Sequence, residues 1–478
     1  MHRLCGGVLT NPYLEVDKKI VSEIYTSSGI MDNLKVLCDV YGSRFPGTPQ
    51  DLGCVKYIVE KLTDYGLEAS YDEFRIPGWT RGPAFLEVTS PIQRSFEVIS
   101  LPHSVAGEME AELVDLGAGH IEVYEKRKDE IDGNIVMVSG EKPSGMEKNP
   151  HRTEKFNRSI LAGARGWIFT NRSPGKGQVT GGVSPIVPAI GTTFEDGEFL
   201  RRLVKREGKV RVRIKTSDRN HDVTTHNIIA DLQGTGNYSE YVATGSHYDA
   251  HDISPGAYDP ASGVVMMMEM ARALALVKNK LKRKIRFLFF GAEETGLFGS
   301  YNYTKTHSAE LDDCRFYLNL DCAGGPGKKG IKFHDYPELS EFTRKVEEEI
   351  NSAMPTSQGV SSASDHWPFF LKGVPSGGGS DPSRPMGSGD NFIHTKYDTL
   401  DKLNVEDMRL GSVNYARWLL RAANTDEWNV KRKTQADIEE TIKKMNMGAA
   451  IAVKEMVKES VKGWNDIHPD TQEWLKTA

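Results

Sequence analysis

The chain has 478 residues and a formal net charge of −6, from 60 Lys and Arg against 66 Asp and Glu. That length exceeds one typical core and predicts two or three domains. The charge is spread without a basic face or a long like-charge block, which argues against nucleic acid as a partner, and no run of about 18 apolar residues suggests a membrane span.

The start, MHRLCGGVLTNPYLEVDKK, has no apolar core of signal-peptide length, so a cytoplasmic location is expected for the chain as written. Five scattered cysteines, Cys5, Cys38, Cys54, Cys314 and Cys322, fit free, mostly buried thiols better than a disulfide framework. Apolar residues at three- and four-residue spacing predict helices over Tyr13–Tyr25, Met31–Tyr41 and Gln50–Tyr65. Strands are expected at Glu68–Ile76 and Ala84–Thr89.

From about residue 100 the texture changes to short strands between turn signals. Ala111–Leu116, Asn134–Val138, Gly166–Thr170, Ile186–Ile190 and Val210–Lys215 read as strands and Phe194–Glu207 as a helix. No catalytic constellation appears in this stretch, so a folded insert that shapes access to a cleft is the expectation.

The stretch Tyr241 to Gly263, YVATGSHYDAHDISPGAYDPASG, follows. Tyr241 to Ser246 predicts a buried strand and Ser262 begins a helical run, so His247 and Asp259 fall just past a strand's carboxyl end, where open α/β sheets bind ligands. Three later segments repeat the device. Lys284–Phe290 runs into Glu293 and Glu294, Cys314–Leu320 delivers Asp321, and Phe392 and Ile393 precede His394. Carboxylate oxygens mixed with imidazole nitrogens suit zinc, and a set without cysteine points to catalysis rather than a structural clip. Beyond them, Pro337–Met354 predicts an exposed helix whose charge run faces water, and Val405–Ala423 an amphipathic closing helix. The tail from Glu427 reads as helices over Ala436–Met445 and Ala449–Val461 without a recognisable motif.

The ordered set HxD, DxASG, GAEETGxxGS, NLDxAG and IHTxxDT resembles the co-catalytic zinc exopeptidase family of leucine aminopeptidases and glutamate carboxypeptidases, over about Val40 to Leu420. The resemblance implies an α/β fold with a mixed, mainly parallel central sheet flanked by helices. AELVDLG, IDGNIVMV, LAGARGWIFTN and VPAIGTT look like a protease-associated domain inserted into it. The expected division is 1–99 and 217–426 for the peptidase, 100–216 for the insert and 427–478 for a helical extension. It implies two zinc ions bridged by Asp259, one completed by His247 and Asp321 and the other by Glu294 and His394. Glu293 is then left as general base, and Asp249 supports catalysis by accepting the second ring N–H of a ligand histidine. Asp398 is assigned a similar supporting part. His251, Asp252 and His366 match no ligand position and are expected to stay outside the site, and Asp365 falls near the substrate pocket.

The implied activity is hydrolysis of small unblocked peptides by an aminopeptidase or dipeptidase. Homodimerisation is left open, and secreted relatives weigh against the cytoplasmic expectation. Two other readings are a carboxypeptidase using Arg384 to pair with a substrate carboxylate, and a non-catalytic homologue. Single-zinc cyclase relatives make a further alternative, against which His247 and Asp321 both stand. Where relatives commonly carry a second acidic residue after the bridging Asp, this chain has Pro260, and a cis Asp259–Pro260 bond is expected.

Overall fold

The computed structural model describes residues 11–382 and 392–461. Its central sheet holds eight strands in the spatial order Glu68–Thr80, Arg219–Leu232, Lys284–Phe290, Tyr241–His247, Cys314–Asn319, Ser376–Ser380, Gly330–Phe333 and Thr356–Gln358. The middle four run parallel, and antiparallel strands flank them. Strands such as IRFLFF and YVATGSH are buried along their length because helices cover both faces, which is why they read as continuous apolar runs without alternation.

One covering layer is the helix Gly263–Ala275, buried almost throughout, with Leu14–Thr26, Gly29–Lys35 and Val405–Asn424 packed on it. A second eight-stranded sheet is built from residues 84–216 and inserted between the first two strands of the central sheet. It begins earlier than the boundary expected at residue 100, because Ala84–Ser90 pairs with Arg211–Thr216 rather than with its chain predecessor. No helix among the described residues is long and apolar enough to cross a membrane.

One other expectation changes in part, and the role of the tail, left open by the sequence, is visible. The helix expected over Pro337–Met354 ends at Ile350 and is amphipathic: Glu341, Arg344, Lys345 and Glu348 face water as expected, but Leu339, Thr343, Val346 and Ile350 are buried, and Glu349 pairs with buried Arg421 at 2.6 Å. The tail is a cap, with Ile438, Ile442, Met445, Met447 and Ile451 packed around Trp367 and Phe370, and the helix Gly448–Val461 resting on Arg152–Leu161 of the insert. Four described cysteines are free, with Cys38, Cys54 and Cys314 buried.

Trp418 of the closing helix is fully buried against Phe316, Phe333 and Phe342, and its indole N–H donates to Thr343 Oγ1 at 3.0 Å. Trp418→Ala should lower stability by about 3–5 kcal/mol. Equilibrium denaturation of wild type and variant measures this, and a shift under about 1 kcal/mol would mean the helix is not part of the main core.

Candidate metal centre

The strand Tyr241–His247 ends with His247 buried at the sheet's carboxyl edge. The loop beyond it is tied by Arg44, a fully buried guanidinium that donates to the carbonyls of Tyr248 (2.7 Å), Pro255 (2.7 Å) and Gly256 (3.2 Å). This pins both ends of the excursion between His247 and Asp259. Asp398 then accepts the backbone N–H of Tyr258 at 2.8 Å and of Asp259 at 3.1 Å. The Asp259–Pro260 bond is cis. The glycine ending DPASG has a steric reason: a Cβ on Gly263 would lie 2.0 Å from the Leu320 carbonyl, so only glycine lets this helix start beside the strand that delivers Asp321.

Asp249 does for the Glu pair what Asp398 does for Asp259: its two oxygens accept Glu293 N–H at 3.0 Å and Glu294 N–H at 3.2 Å. The expected contact to the ligand histidine is corrected in detail. His247 Nδ1 lies 3.1 Å from the backbone carbonyl of Asp249, closer than the 3.5 Å to its carboxylate, which the Glu293 and Glu294 amides already occupy. Ser364 Oγ donates to Asp321 Oδ2 at 2.8 Å. Ala292, Cys322 and His394 all have positive φ, near +61°, +53° and +56°, so the backbone is held in sparsely populated conformations around the cluster.

The resulting geometry places one carboxylate between two donor groups. Asp259 Oδ1 is 3.2 Å from His247 Nε2, and Asp259 Oδ2 is 3.3 Å from His394 Nε2. His247 Nε2 is also 3.4 Å from Asp321 Oδ1, and His394 Nε2 is 3.3 Å from Glu294 Oε2. Glu293 stands further off, 3.9 Å from His247 Nε2. Against burial and the charge of Glu294, the two imidazoles hold the Asp259 carboxyl down at about 2. Burial, with the charges of Asp321 and Glu294, pushes Glu293 well above the usual carboxylate range although His247 opposes it.

These donors fit a metal. Bonds of about 2.0–2.1 Å in a tetrahedron separate neighbouring ligand atoms by roughly 3.3 Å, close to the four spacings above. The buried His247 Nε2 and Asp321 Oδ1 have no hydrogen-bond partner, a costly arrangement unless a cation takes those lone pairs. Among the described residues, the groups able to hold an ion are His247 with Glu293 and Asp321, Asp259 with Asp321 and Cys322, and Glu294 with His394 and His251.

The last of these reverses an expectation. His251 is not outside the site: it is buried with its Nε2 3.0 Å from Glu294 Oε2. The cue was the spacing His247, Asp249, His251, since alternate residues of extended chain face one side. Asp252 does stay outside, paired to Arg81 at 2.6 and 2.7 Å, and His366 is engaged with Ser361 O at 2.8 Å and stacked on His334. Asp365 is fully buried with neither oxygen hydrogen-bonded. Arg384 lies outside the described residues.

Sequence reasoning missed Arg44, which carries no local signal, and Arg152. Arg152 comes from the insert, donates to Gly182 O at 3.1 Å and sets its Nη1 3.4 Å from His394 Nδ1. Gly181 makes room for it, since a Cβ there would lie 2.1 Å from the guanidinium.

Residues 227–416, which hold every one of the candidate metal ligands, match peptidase family M28. The chain is 28% identical over 347 residues to a probable leucine aminopeptidase 2 of Aspergillus oryzae, covering 68% of this chain and 66% of that protein, just under two thirds of its length. It is 24% identical over 416 residues to mouse (Mus musculus) carboxypeptidase Q, covering 83% and 86%. Among solved structures, a peptidase M28 precursor from Shewanella amazonensis superposes with TM-score 0.74 at 22% identity, over 88% of this chain and 98% of that one. BSAP, described as a zinc aminopeptidase from Bacillus subtilis, gives 0.64 at 22% identity, over 89% and 98%. The fold is therefore the mixed α/β arrangement of these peptidases.

Behind the site, Tyr248 donates to Asp51 Oδ1 at 2.6 Å, and Gly47 N–H donates to Asp51 Oδ2 at 2.9 Å. Burial pushes the Asp51 carboxyl up to about 6 despite these bonds, with Asp249 adding to the rise. A carboxyl whose folded value exceeds its unfolded value of 3.8 contributes stability that is complete below 3.8 and is lost as pH rises through about 6. Melting wild type and Asp51→Asn from pH 3.5 to 7.5 should show wild type losing up to about 3 kcal/mol relative to the variant across that window. Parallel profiles would mean that folding leaves the proton affinity of Asp51 unchanged.

Proposed function

We propose that the chain is a two-zinc exopeptidase that releases terminal residues from small unblocked peptides, as an aminopeptidase or dipeptidase. The observation that supports it most is Asp259 offering one oxygen to His247 and the other to His394, each flanked by a further carboxylate at ligand spacing. In this reading His247, Asp321 and Asp259 hold one ion, and Glu294, His394 and Asp259 the other. Zinc, when bound, supplies a Lewis acid that makes water nucleophilic near neutral pH and polarises a carbonyl oxygen.

The chain's own residues do the rest. Glu293, standing off at 3.9 Å, keeps a carboxylate free to take a proton from the attacking water and hand it to the leaving amine. Asp249 holds the Glu pair by its amides, so that Glu293 and Glu294 point to different tasks. The inserted sheet, read as a protease-associated domain, narrows the approach by bringing Arg152 against His394. Arg152 also supports a second reading: a guanidinium beside the site suits a substrate carboxylate, as in a C-terminal exopeptidase.

Glu293→Gln should keep its metal content and lose roughly 10²–10⁴-fold in kcat, because only the proton acceptor is removed. Glu294→Gln should instead lower bound metal. Elemental analysis beside turnover of a free dipeptide, its N-acetyl form and its C-terminal amide tests both. Near-normal kcat in metal-loaded Glu293→Gln removes the general-base role. Loss of activity on N-acetylation supports amine recognition, and loss on amidation transfers the assignment to the carboxypeptidase.

A further inference from the structure

We infer that His251 is an additional protein ligand to the ion held by Glu294 and His394, so that the two halves of the centre are unequal. The inference rests on the two-ion reading above and concerns a residue outside the ligand set assigned there.

The geometry is specific. His251 is buried, 2% exposed; its Nδ1 has no hydrogen-bond partner and its Nε2 faces Glu294 Oε2. Its ring stands nearly perpendicular to that of His394, with centroids 4.7 Å apart at 84°. That crossing brings the Nε2 atoms of both rings onto one oxygen, Glu294 Oε2, at 3.0 and 3.3 Å. Both distances are near the roughly 3.3 Å edge expected between ligand atoms of a tetrahedral zinc. A histidine serving only as a hydrogen-bond donor to Glu294 would be aligned on it, and its other nitrogen would be tied to the protein. Here the protein offers Nδ1 no partner, and leaving a buried ring nitrogen unsatisfied is costly.

The consequence is an asymmetry of coordination. The Glu294 half receives two imidazoles and two carboxylates, one of them shared, which is a full tetrahedral set from protein. The His247 half has His247, Asp321 and the shared Asp259, three donors with a position left open. Closed sets are typical of ions that stay, and sets with an open position are typical of ions that meet substrate. The Glu294 half should therefore fill first and empty last, leaving the His247 half as the exchangeable one.

The test is titration of the metal-free full-length chain with Co²⁺, followed by visible absorption, together with zinc content at buffered free metal. Wild type should load in two separated steps. His251→Ala should weaken the first step by more than about 100-fold, beyond the roughly 10–100-fold that follows loss of a group that only orients a ligand. His251→Gln, which retains hydrogen bonding without an imidazole, should behave like the alanine variant. As a check free of any variant, the dicobalt wild type should show three paramagnetically shifted histidine rings by NMR. Two shifted rings in wild type, or unchanged affinities and band intensities in folded variants, would overturn the assignment of His251 and leave the two-ion reading standing. A wild type that takes up no cobalt or zinc would remove both.

Discussion

Everything around the centre answers one electrostatic constraint: Asp259, Glu293, Glu294 and Asp321 are crowded around two imidazoles at a water-poor sheet edge. Two unit charges 4 Å apart repel by about 4 kcal/mol at an effective dielectric of 20, and four carboxylates multiply the pairs. Protonated imidazoles offset part of this, and the carboxylates of Glu294 and Asp259 raise His394 to about 9 although burial opposes it. His247 Nε2 and Asp321 Oδ1 remain without a hydrogen-bond partner, and a divalent cation taking the place of the imidazole proton would relieve both. A cluster of this kind cannot hold itself together, so its geometry must be imposed from outside.

The imposition is done through backbone amides. Asp249 and Asp398 each spend both oxygens on consecutive N–H groups, of Glu293 and Glu294 in one case and of Tyr258 and Asp259 in the other. Fixing two successive amides sets the direction in which the side chains leave the chain, without adding bulk near the reacting atoms. Arg44 works on the opposite polarity, gathering carbonyls from both ends of the 248–258 loop. Both devices draw their strength from burial, where charge-assisted hydrogen bonds are stronger than at the surface.

That division explains what could be read from the sequence. The strands Tyr241–His247, Lys284–Phe290 and Cys314–Asn319 are legible because burial on both faces leaves unbroken apolar runs, and His247, Glu293, Glu294 and Asp321 are legible because they end or closely follow such a run; His394, expected past a strand, sits instead in a turn. Ser376–Ser380 was not, since SGGGS has almost no side chains to pattern, and the polar first half of Arg219–Leu232 hid a strand paired along its whole length with Glu68–Thr80. Arg44 and Arg152 were illegible for another reason. Arg44 lies 204 residues before Tyr248 and Arg152 lies 242 before His394, and nothing local marks an arginine for such a contact. His251 was set aside because it matched no ligand position, yet its two-residue spacing from Asp249 carried the information.

The insert is therefore part of the centre's construction. Thr180 N–H, in a loop of the insert, donates to the His394 carbonyl at 2.8 Å, holding the residue whose Nε2 lies 3.3 Å from Asp259 Oδ2. Arg81, where the chain passes into the second sheet, grips Asp252 in the loop after His251. The tail closes the same side, with Lys148 of the insert donating to Met445 O at 2.9 Å and the last described helix lying on the one that carries Arg152. Three segments distant in sequence thus converge on the rim over His394. A rim built this way ties the position of His394 to the insert and the tail as well as to the central sheet.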